Sequence, residues 1–488
     1  MVGYSGEMRR LWATLVAIGL VTIIGLRALS IGERAVSLEH TDYGEGPLAA
    51  LVARWIDQPP GRTWLQVPVT VTAYGPLMLA VWRTAAAVFP DSNLLLVGRS
   101  VAVGAAAILV FTVAAVVFRG QRSTLSSAAA VALLLGSPVA LDWFPYARVD
   151  TIAAALTCLA YVAFDTRRHR LILSAALLVL ASLAKQTAAI HVVPLAWIAF
   201  ALEGSRGPIR WLAAAFGTAA IGWGITFASY ERYFLDASIV ANLNRFSAWQ
   251  HIDVAYAWIT AASSVLMLCA AWTALTIEPR RAIVDRWWVG FTYTVIAASI
   301  LSLKEGSWLN YYMDATWLGA IVVGSVAGEA LRLRPAQTMG GLAVAVALTV
   351  PALILPRYFN GWLGRPDALR AEAVARLAGT GPLLLDGQLV GYLPRHPGLL
   401  VNDPFLLRLR DDQGIAPTAE ILDRLRDPAA TVLFSIPLSA HVERRSRARD
   451  WPAVVLDRIG ADFCLTERLP DVFVYRHKAP QRCLSSSR

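Results

Sequence analysis

From residue 11 to residue 356 the chain is a succession of apolar runs, several of them separated by short clusters of arginine. A hydrocarbon layer about 30 Å thick takes about 20 apolar residues to cross as a helix. The spacing predicts spans at 11–29, 94–118, 124–141, 148–164, 171–184, 186–203, 209–229, 254–277, 286–303, 312–331 and 338–356. Composition agrees, with 56% apolar and 16% charged residues where a soluble domain carries about a quarter charged. An ordinary water-soluble enzyme is excluded. The first run follows Arg9 and Arg10, is long for a signal peptide and has no small-residue cleavage site after it, so it reads as a retained span.

The formal charge of +10 does not point to nucleic acid, because the arginines punctuate apolar runs instead of gathering on one domain. They stand at Arg119 and Arg122, at Arg167, Arg168 and Arg170, at Arg206 and Arg210, at Arg280, Arg281 and Arg286, and at Arg332 and Arg334. Each cluster is separated from the next by a pair of spans, so one orientation places all of them on the cytoplasmic side. The stretch 77–89 would break that alternation if it crossed; it is only 13 residues long and contains Arg83. It reads as a juxtamembrane helix in the outer interface. The result is a polytopic α-helical protein of about 11 transmembrane helices, its N-terminus cytoplasmic and residues 357–488 extracytoplasmic.

In that last part charge returns, and β-type runs at Pro382–Leu385, Thr431–Ile436 and Val472–Tyr475 alternate with helix-like stretches at 367–378 and 417–426. This is the pattern of an α/β domain. Asp386 and Asp403 read there as cap and turn residues. Cys158 and Cys269 sit in apolar runs, whereas Cys464 and Cys483 share the polar part, where an oxidising compartment would permit a disulfide.

Polarity is unequal between the two faces. The cytoplasmic loops hold little besides arginine, while the outer ends carry acids, amides, lysines and aromatics. The first outer loop, 30–93, contains Glu39-His40-Thr41-Asp42-Tyr43-Gly44-Glu45-Gly46-Pro47 and then Tyr74-Gly75-Pro76-Leu77. Asp42 and Glu45, three positions apart, can share one side of a turn or helix start; the plainer alternative is a solvated loop with Asp42 capping a helix. Further outer strings are Asp142 to Asp150, Ala184-Lys185-Gln186-Thr187 and Lys304-Glu305-Gly306-Ser307-Trp308-Leu309-Asn310-Tyr311-Tyr312. A charge between tightly joined spans costs a few kcal/mol unless it is partnered or hydrated, and a phosphate would partner Lys185. Snorkelling, or an internal pair such as Arg148 with Asp150, is the competing account. His191 reads as a satisfied structural histidine. The loop 230–253 is either a lid or an interfacial segment anchored by Trp249. No spacing of His and carboxylates supports a metal site, and no cofactor is expected.

In this order and with this sidedness, the motifs resemble those of the GT-C glycosyltransferase superfamily, polytopic enzymes that include protein O-mannosyltransferases and lipid A aminoarabinose transferases. The matching residues are Asp42 to Pro47, Tyr74 to Leu77, Gly98-Arg99, Arg148-Val149-Asp150, Lys185-Gln186-Thr187 and Lys304 to Ser307 leading to Asn310-Tyr311. The resemblance implies a catalytic transmembrane domain over 1–356 with an appended soluble domain over 357–488. It also implies transfer of a sugar from a polyprenyl-phosphate donor to an extracytoplasmic glycolipid, polysaccharide or protein, with inversion, at a bacterial inner membrane. By the same resemblance Asp42 and Glu45 are the catalytic carboxylates; Arg148, Lys185, Lys304, Tyr74, Trp308, Asn310 and Tyr311 bind substrate. Protein O-mannosyltransferases carry adjacent Asp-Glu whereas Asp42 and Glu45 are separated, which leaves the base between the two, Asp42 matching the first-loop acid. A transporter or flippase of lipid-linked sugars is the alternative class; it would call for an internal repeat and polar residues at mid-membrane, and no repeat is evident.

Overall fold

The computed structural model describes residues 6–37, 44–57, 69–70, 72–166, 169–231, 233–234, 246, 248–259, 285–304, 309–333, scattered positions between 335 and 346, 368–443, 451–470, 472–478 and 483–484. The described helices of the apolar part are α1 (Gly6–Val36), α2 (Glu45–Asp57), α3 (Pro76–Val88), α4 (Leu94–Gln121), α5 (Thr124–Gly136), α6 (Pro138–Trp143), α7 (Val149–Val162), α8 (Arg170–Ala184), α9 (Val192–Glu203), α10 (Arg206–Tyr230), α11 (Ala248–Ile259), α12 (Arg286–Leu301) and α13 (Met313–Leu333). Among the described residues five helical stretches are long and apolar enough to cross a membrane: Arg10–Val36, Leu94–Gln121, Gln186–Glu203, Arg206–Tyr230 and Leu309–Leu333. Most of the runs expected at 254–277 and 338–356 lie outside the described residues.

Local chemistry sets the breaks. The run expected at 124–141 is two helices, because Pro138 has no N–H to continue α5 and the Ser137 hydroxyl instead accepts from Ala140 N at 3.1 Å to start α6. The run expected at 186–203 opens as a tighter 3-10 segment, Gln186–His191, before α9. Burial separates centre from rim: 61% of the apolar window of Leu309–Leu333 is buried, against 11% for Arg206–Tyr230. The first is packed over most of its surface against other helices, and the second offers its apolar surface to its surroundings.

Three helices, two of them long, link the two ends of the bundle. α4 starts near Arg99 and ends at Gln121, α7 starts at Val149 and leads to Asp165, and α13 follows Asn310 and ends at Leu333. At their far ends Arg332 donates to Gln121, Arg286 pairs with Asp165 at 2.7 Å, and Glu203 holds Arg170 and Arg210. The arginine clusters thus meet at one end, and the acid, amide and lysine strings meet at the other.

The C-terminal part is an α/β unit. Strands β1 (Leu383–Leu385), β2 (Thr431–Phe434), β3 (Phe463–Leu469) and β4 (Val472–His477) form a sheet in the order β1-β2-β4-β3, with β1 and β2 parallel and the other pairs antiparallel. Its helices include α14 (Ala368–Ala378), α15 (Gly387–Val390), α16 (Pro404–Asp412) and α17 (Thr418–Arg424). Strand β3, with Glu467 and Arg468 on an exposed edge, has no apolar run to announce it. Asp403 caps α16 by accepting from Leu406 N at 3.0 Å. Asp386 makes no side-chain cap; its carboxylate is buried and accepts from Ser435 N and Oγ and from Trp451 Nε1. The described part of the segment between α1 and α4 is stitched into this unit: Val69 pairs in parallel with Val401, and Val69 and Ala50 lie within its apolar clusters.

Cys464 and Cys483 form a disulfide across a sequence separation of 19 residues. A loop of that length limits the unfolded chain by about 3 kcal/mol. Replacing both cysteines with serine is therefore expected to lower the thermal unfolding midpoint of the purified protein. An unchanged midpoint, with all four cysteines reactive in the denatured chain, would contradict the bridge.

Candidate active site

The polar end is organised by two buried carboxylates. Glu45, the first residue of α2, and Arg99, one turn into α4, are both fully buried. Arg99 Nε donates to Glu45 Oε1 at 2.8 Å and Nη2 donates to Oε2 at 2.7 Å, a bidentate fork. The remaining nitrogen of Arg99 donates to the carbonyls of Arg34 and Ser37 at the end of α1. Glu45 Oε1 also accepts from Ala147 N at 2.7 Å. One ion pair therefore joins α1, α2, α4 and the turn that carries Arg148. Glu45, expected to work on the acceptor beside Asp42, has both carboxylate oxygens committed to Arg99; it fixes the loop instead of presenting a carboxylate to a cavity.

The second carboxylate is Asp150, at the start of α7 and 2% exposed. Its Oδ1 accepts from Lys185 Nζ at 2.5 Å and from Asn310 Nδ2 at 2.8 Å. Its Oδ2 faces Arg148 Nε at 3.7 Å, an ion pair beyond hydrogen-bond reach. Lys185 Nζ lies 4.9 Å from the centre of the Tyr311 ring, where an ammonium is drawn to the π face. Desolvation pushes the Tyr74 phenol up to about 12, with Asp150, Arg148, Lys185 and Tyr311 all in its electrostatic surroundings. Burial, and then the neighbouring Lys185 charge, push the Lys304 ammonium down to about 8. Arg148, Lys185, Tyr74 and Asn310, drawn from four separate stretches of chain, are thus gathered around one acid, with Tyr311 and Lys304 beside Lys185.

Packing explains why these stretches meet. Gln186 Nε2 donates to Ala73 O at 3.0 Å, fastening Tyr74 to the segment of Lys185. A Cβ on residue 44 would stand 1.7 Å from Arg148 Nη1, so only glycine lets the guanidinium lie across the acidic loop. Arg148 is therefore the link between that loop and Asp150. Asp42 itself, with Glu39 and His40, lies outside the described residues, as does Trp308. Of the loop 230–253 the described part includes His251, whose Nδ1 is 2.6 Å from Ser302 Oγ, and Phe246, bridged to Lys304.

Deeper in the bundle the same segments meet again. His191, at the end of the 3-10 segment, is fully buried, with Nδ1 2.9 Å from Tyr161 Oη and Nε2 3.2 Å from Asp314 Oδ2. Trp317 Nε1 donates to Asp314 Oδ1 at 2.8 Å. Sequence reasoning left Asp150 and Asp314 out of the site. Their signal was an acid in the first turn of an apolar helix, where an ionisable group needs a named partner. Among the described residues no group of three His, Cys, Asp or Glu could hold a metal ion.

Removing Lys185 would leave the Asp150 carboxylate buried with a weakened set of partners, a change that costs about 3 kcal/mol. Lys185→Met is expected to lower the thermal midpoint in detergent, and Lys185→Met combined with Asp150→Asn to recover most of it. Equal losses in the single and double variants would show that the two groups are not coupled.

No protein-family model matches the chain, and no curated protein matches it in sequence. The structure is similar to that of ArnT from Cupriavidus metallidurans bound to undecaprenyl phosphate, at 13% identity and a TM-score of 0.59 over 94% of this chain and 98% of that one. It is also similar to the Archaeoglobus fulgidus oligosaccharyltransferase in the apo form, at 11% identity and a TM-score of 0.54 over 97% of this chain and 75% of that one. The archaeal oligosaccharyltransferase AglB from Archaeoglobus fulgidus, in complex with an inhibitory peptide and a dolichol-phosphate, gives 12% identity and a TM-score of 0.52 over 99% of this chain and 76% of that one. Likeness at such identities speaks to architecture, and on its architecture the chain has the GT-C fold.

Proposed function

We propose that this protein is a membrane glycosyltransferase that takes a sugar from a polyprenyl-phosphate donor and passes it to an acceptor on the outer side of a bacterial inner membrane. The observation that carries this reading is the convergence of Arg148, Lys185 and Asn310 on buried Asp150, with Lys304 close enough for the Lys185 charge to depress its ammonium. Cations held at the mouth of an apolar bundle suit a phosphate carried on a lipid tail. Two proteins of the same fold have been solved with undecaprenyl phosphate and with a dolichol-phosphate. The Cys464–Cys483 bridge supports an oxidising, extracytoplasmic location for the C-terminal part.

In the reaction, Asp42 takes the proton from the acceptor hydroxyl or amine as that atom attacks the anomeric carbon. The bond to the lipid phosphate breaks on the opposite side, and the configuration inverts. Glu45 leaves the role of base to Asp42 because Arg99 occupies both its oxygens. Lys185, Lys304 and Arg148 stabilise the charge gathering on the departing phosphate, and Tyr74, Trp308, Asn310 and Tyr311 hold the sugar end. Asp150 keeps the cations in place before the phosphate arrives, so that little reorganisation is needed at the moment of reaction.

The purified protein, given a matched polyprenyl-phosphate sugar, is expected to release polyprenyl phosphate, and Asp42→Asn to lose that release while staying folded. Full activity in Asp42→Asn, or movement of the lipid-linked sugar across vesicles with no bond broken, would overturn the reading. A pH dependence follows as well. Lys304 loses its charge as pH rises through about 8, so affinity for undecaprenyl phosphate should fall above that pH, by about tenfold for the loss of one charge-assisted contact. Lys304→Met should bind weakly at every pH, whereas Lys304→Arg should bind well and lose the step near 8. An identical step in Lys304→Arg would assign it to another group.

A further inference from the structure

We propose that the C-terminal α/β unit is a positioning element of the active site and that Asn402 is the residue through which it sets the acid-bearing loop. This rests on the transferase reading above only for its catalytic readout. The structural link is short and continuous. Asn402 Nδ2 donates to Pro47 O at 3.1 Å in a buried contact. Its own N–H donates to Val69 O at 3.1 Å, while Val69 N donates to Leu400 O at 2.8 Å. Residue 402 thus grips the first outer loop at two places, at its start in α2 and at its later strand-like turn. Arg54 Nη2 adds a donation to Leu399 O at 2.8 Å from the far end of α2.

Between these contacts the backbones touch. A Cβ on residue 46 would stand 2.4 Å from Gly387 O and 2.6 Å from Gly391 N, so the first turn of α2 is seated directly on α15. Gly46 and Pro47 follow Glu45 in the chain, and Glu45 Oε1 accepts the N–H of Ala147, the neighbour of Arg148. The path from the α/β unit into the acid-bearing loop therefore runs Asn402, Pro47, Gly46, Glu45, and continues through Ala147 and Arg148 to Asp150, with a hydrogen bond, an ion pair or a covalent neighbour at each step. A displacement of about 1 Å at reacting groups can lower a rate by up to about 100-fold, so a seat of this kind acts on turnover more than on lipid affinity.

The test uses the full chain with two variants. Asn402→Asp is isosteric, removes the donor and sets a carboxylate oxygen against the Pro47 carbonyl. Gly46→Ala pushes α15 away from the other side, although alanine favours the α2 helix by itself. For both, the expected result is kcat lower by about tenfold, KM for the lipid donor and binding of undecaprenyl phosphate within about twofold of the parent, and amide exchange at residues 44–50 faster by about tenfold. Unchanged kcat despite faster exchange overturns the proposal. So does unchanged exchange at 44–50, or a fall in kcat matched by faster exchange throughout the α/β unit, which would mark a purely structural residue. Should the parent protein release no undecaprenyl phosphate from any undecaprenyl-phosphate sugar offered, the transferase reading fails on its own. Exchange at 44–50 then still decides the mechanical link, faster exchange supporting it and unchanged exchange overturning it.

Discussion

The polar end of this helical bundle depends on a single ion pair taken wholly out of water. Moving a carboxylate and a guanidinium into a protein interior costs several kcal/mol each, and only close, fully hydrogen-bonded geometry offsets that cost. Glu45 and Arg99 meet that condition, with a bidentate fork and further donations to the end of α1 and from the turn before α7. Such a pair is weak as a source of net stability, and its contacts bring the four segments it joins to one point. It acts as a register mark for everything built around it.

The cluster around Asp150 uses the same physics for a different end. Lysine side chains beside apolar helices lose hydration and repel one another, which pushes the Lys304 ammonium down. Asp150 relieves part of that cost at Lys185 and fixes its direction, and Tyr311 and Asn310 close the surroundings. An anion arriving on a lipid tail would complete the balance, which is why the cluster reads as a place prepared for phosphate. The deeper contact of His191 with Tyr161 and Asp314 holds the same segments together one layer further in.

Much of this was legible in the order of residues. Long apolar runs define a helical bundle, and members of the arginine clusters are found in pairs near helix ends, Arg170 and Arg210 with Glu203, Arg286 with Asp165 and Arg332 with Gln121. One-sided polarity draws attention to the segments of Arg148, Lys185, Lys304 and Tyr74. The role of Glu45 was not legible, because its partner Arg99 lies 54 positions away inside an apolar run and only folding reveals which acid an arginine meets. The short strand contact of Val69 with Val401 was equally hidden, since a pairing between residues so far apart leaves no local pattern. Residues such as Pro138 show the opposite case, where a local rule breaks a span that hydropathy alone would have drawn straight through.

The central claim is that the cations around Asp150 receive a lipid-borne phosphate. An experimental structure of the full chain in lipid with undecaprenyl phosphate tests it most directly. The account predicts the phosphate group within hydrogen-bond reach of Lys185 Nζ, on the end of the bundle where Glu45 and Arg99 meet. A phosphate bound at the opposite end, among Arg170, Arg210 and Arg286, with the Asp150 cluster unaltered, would contradict it.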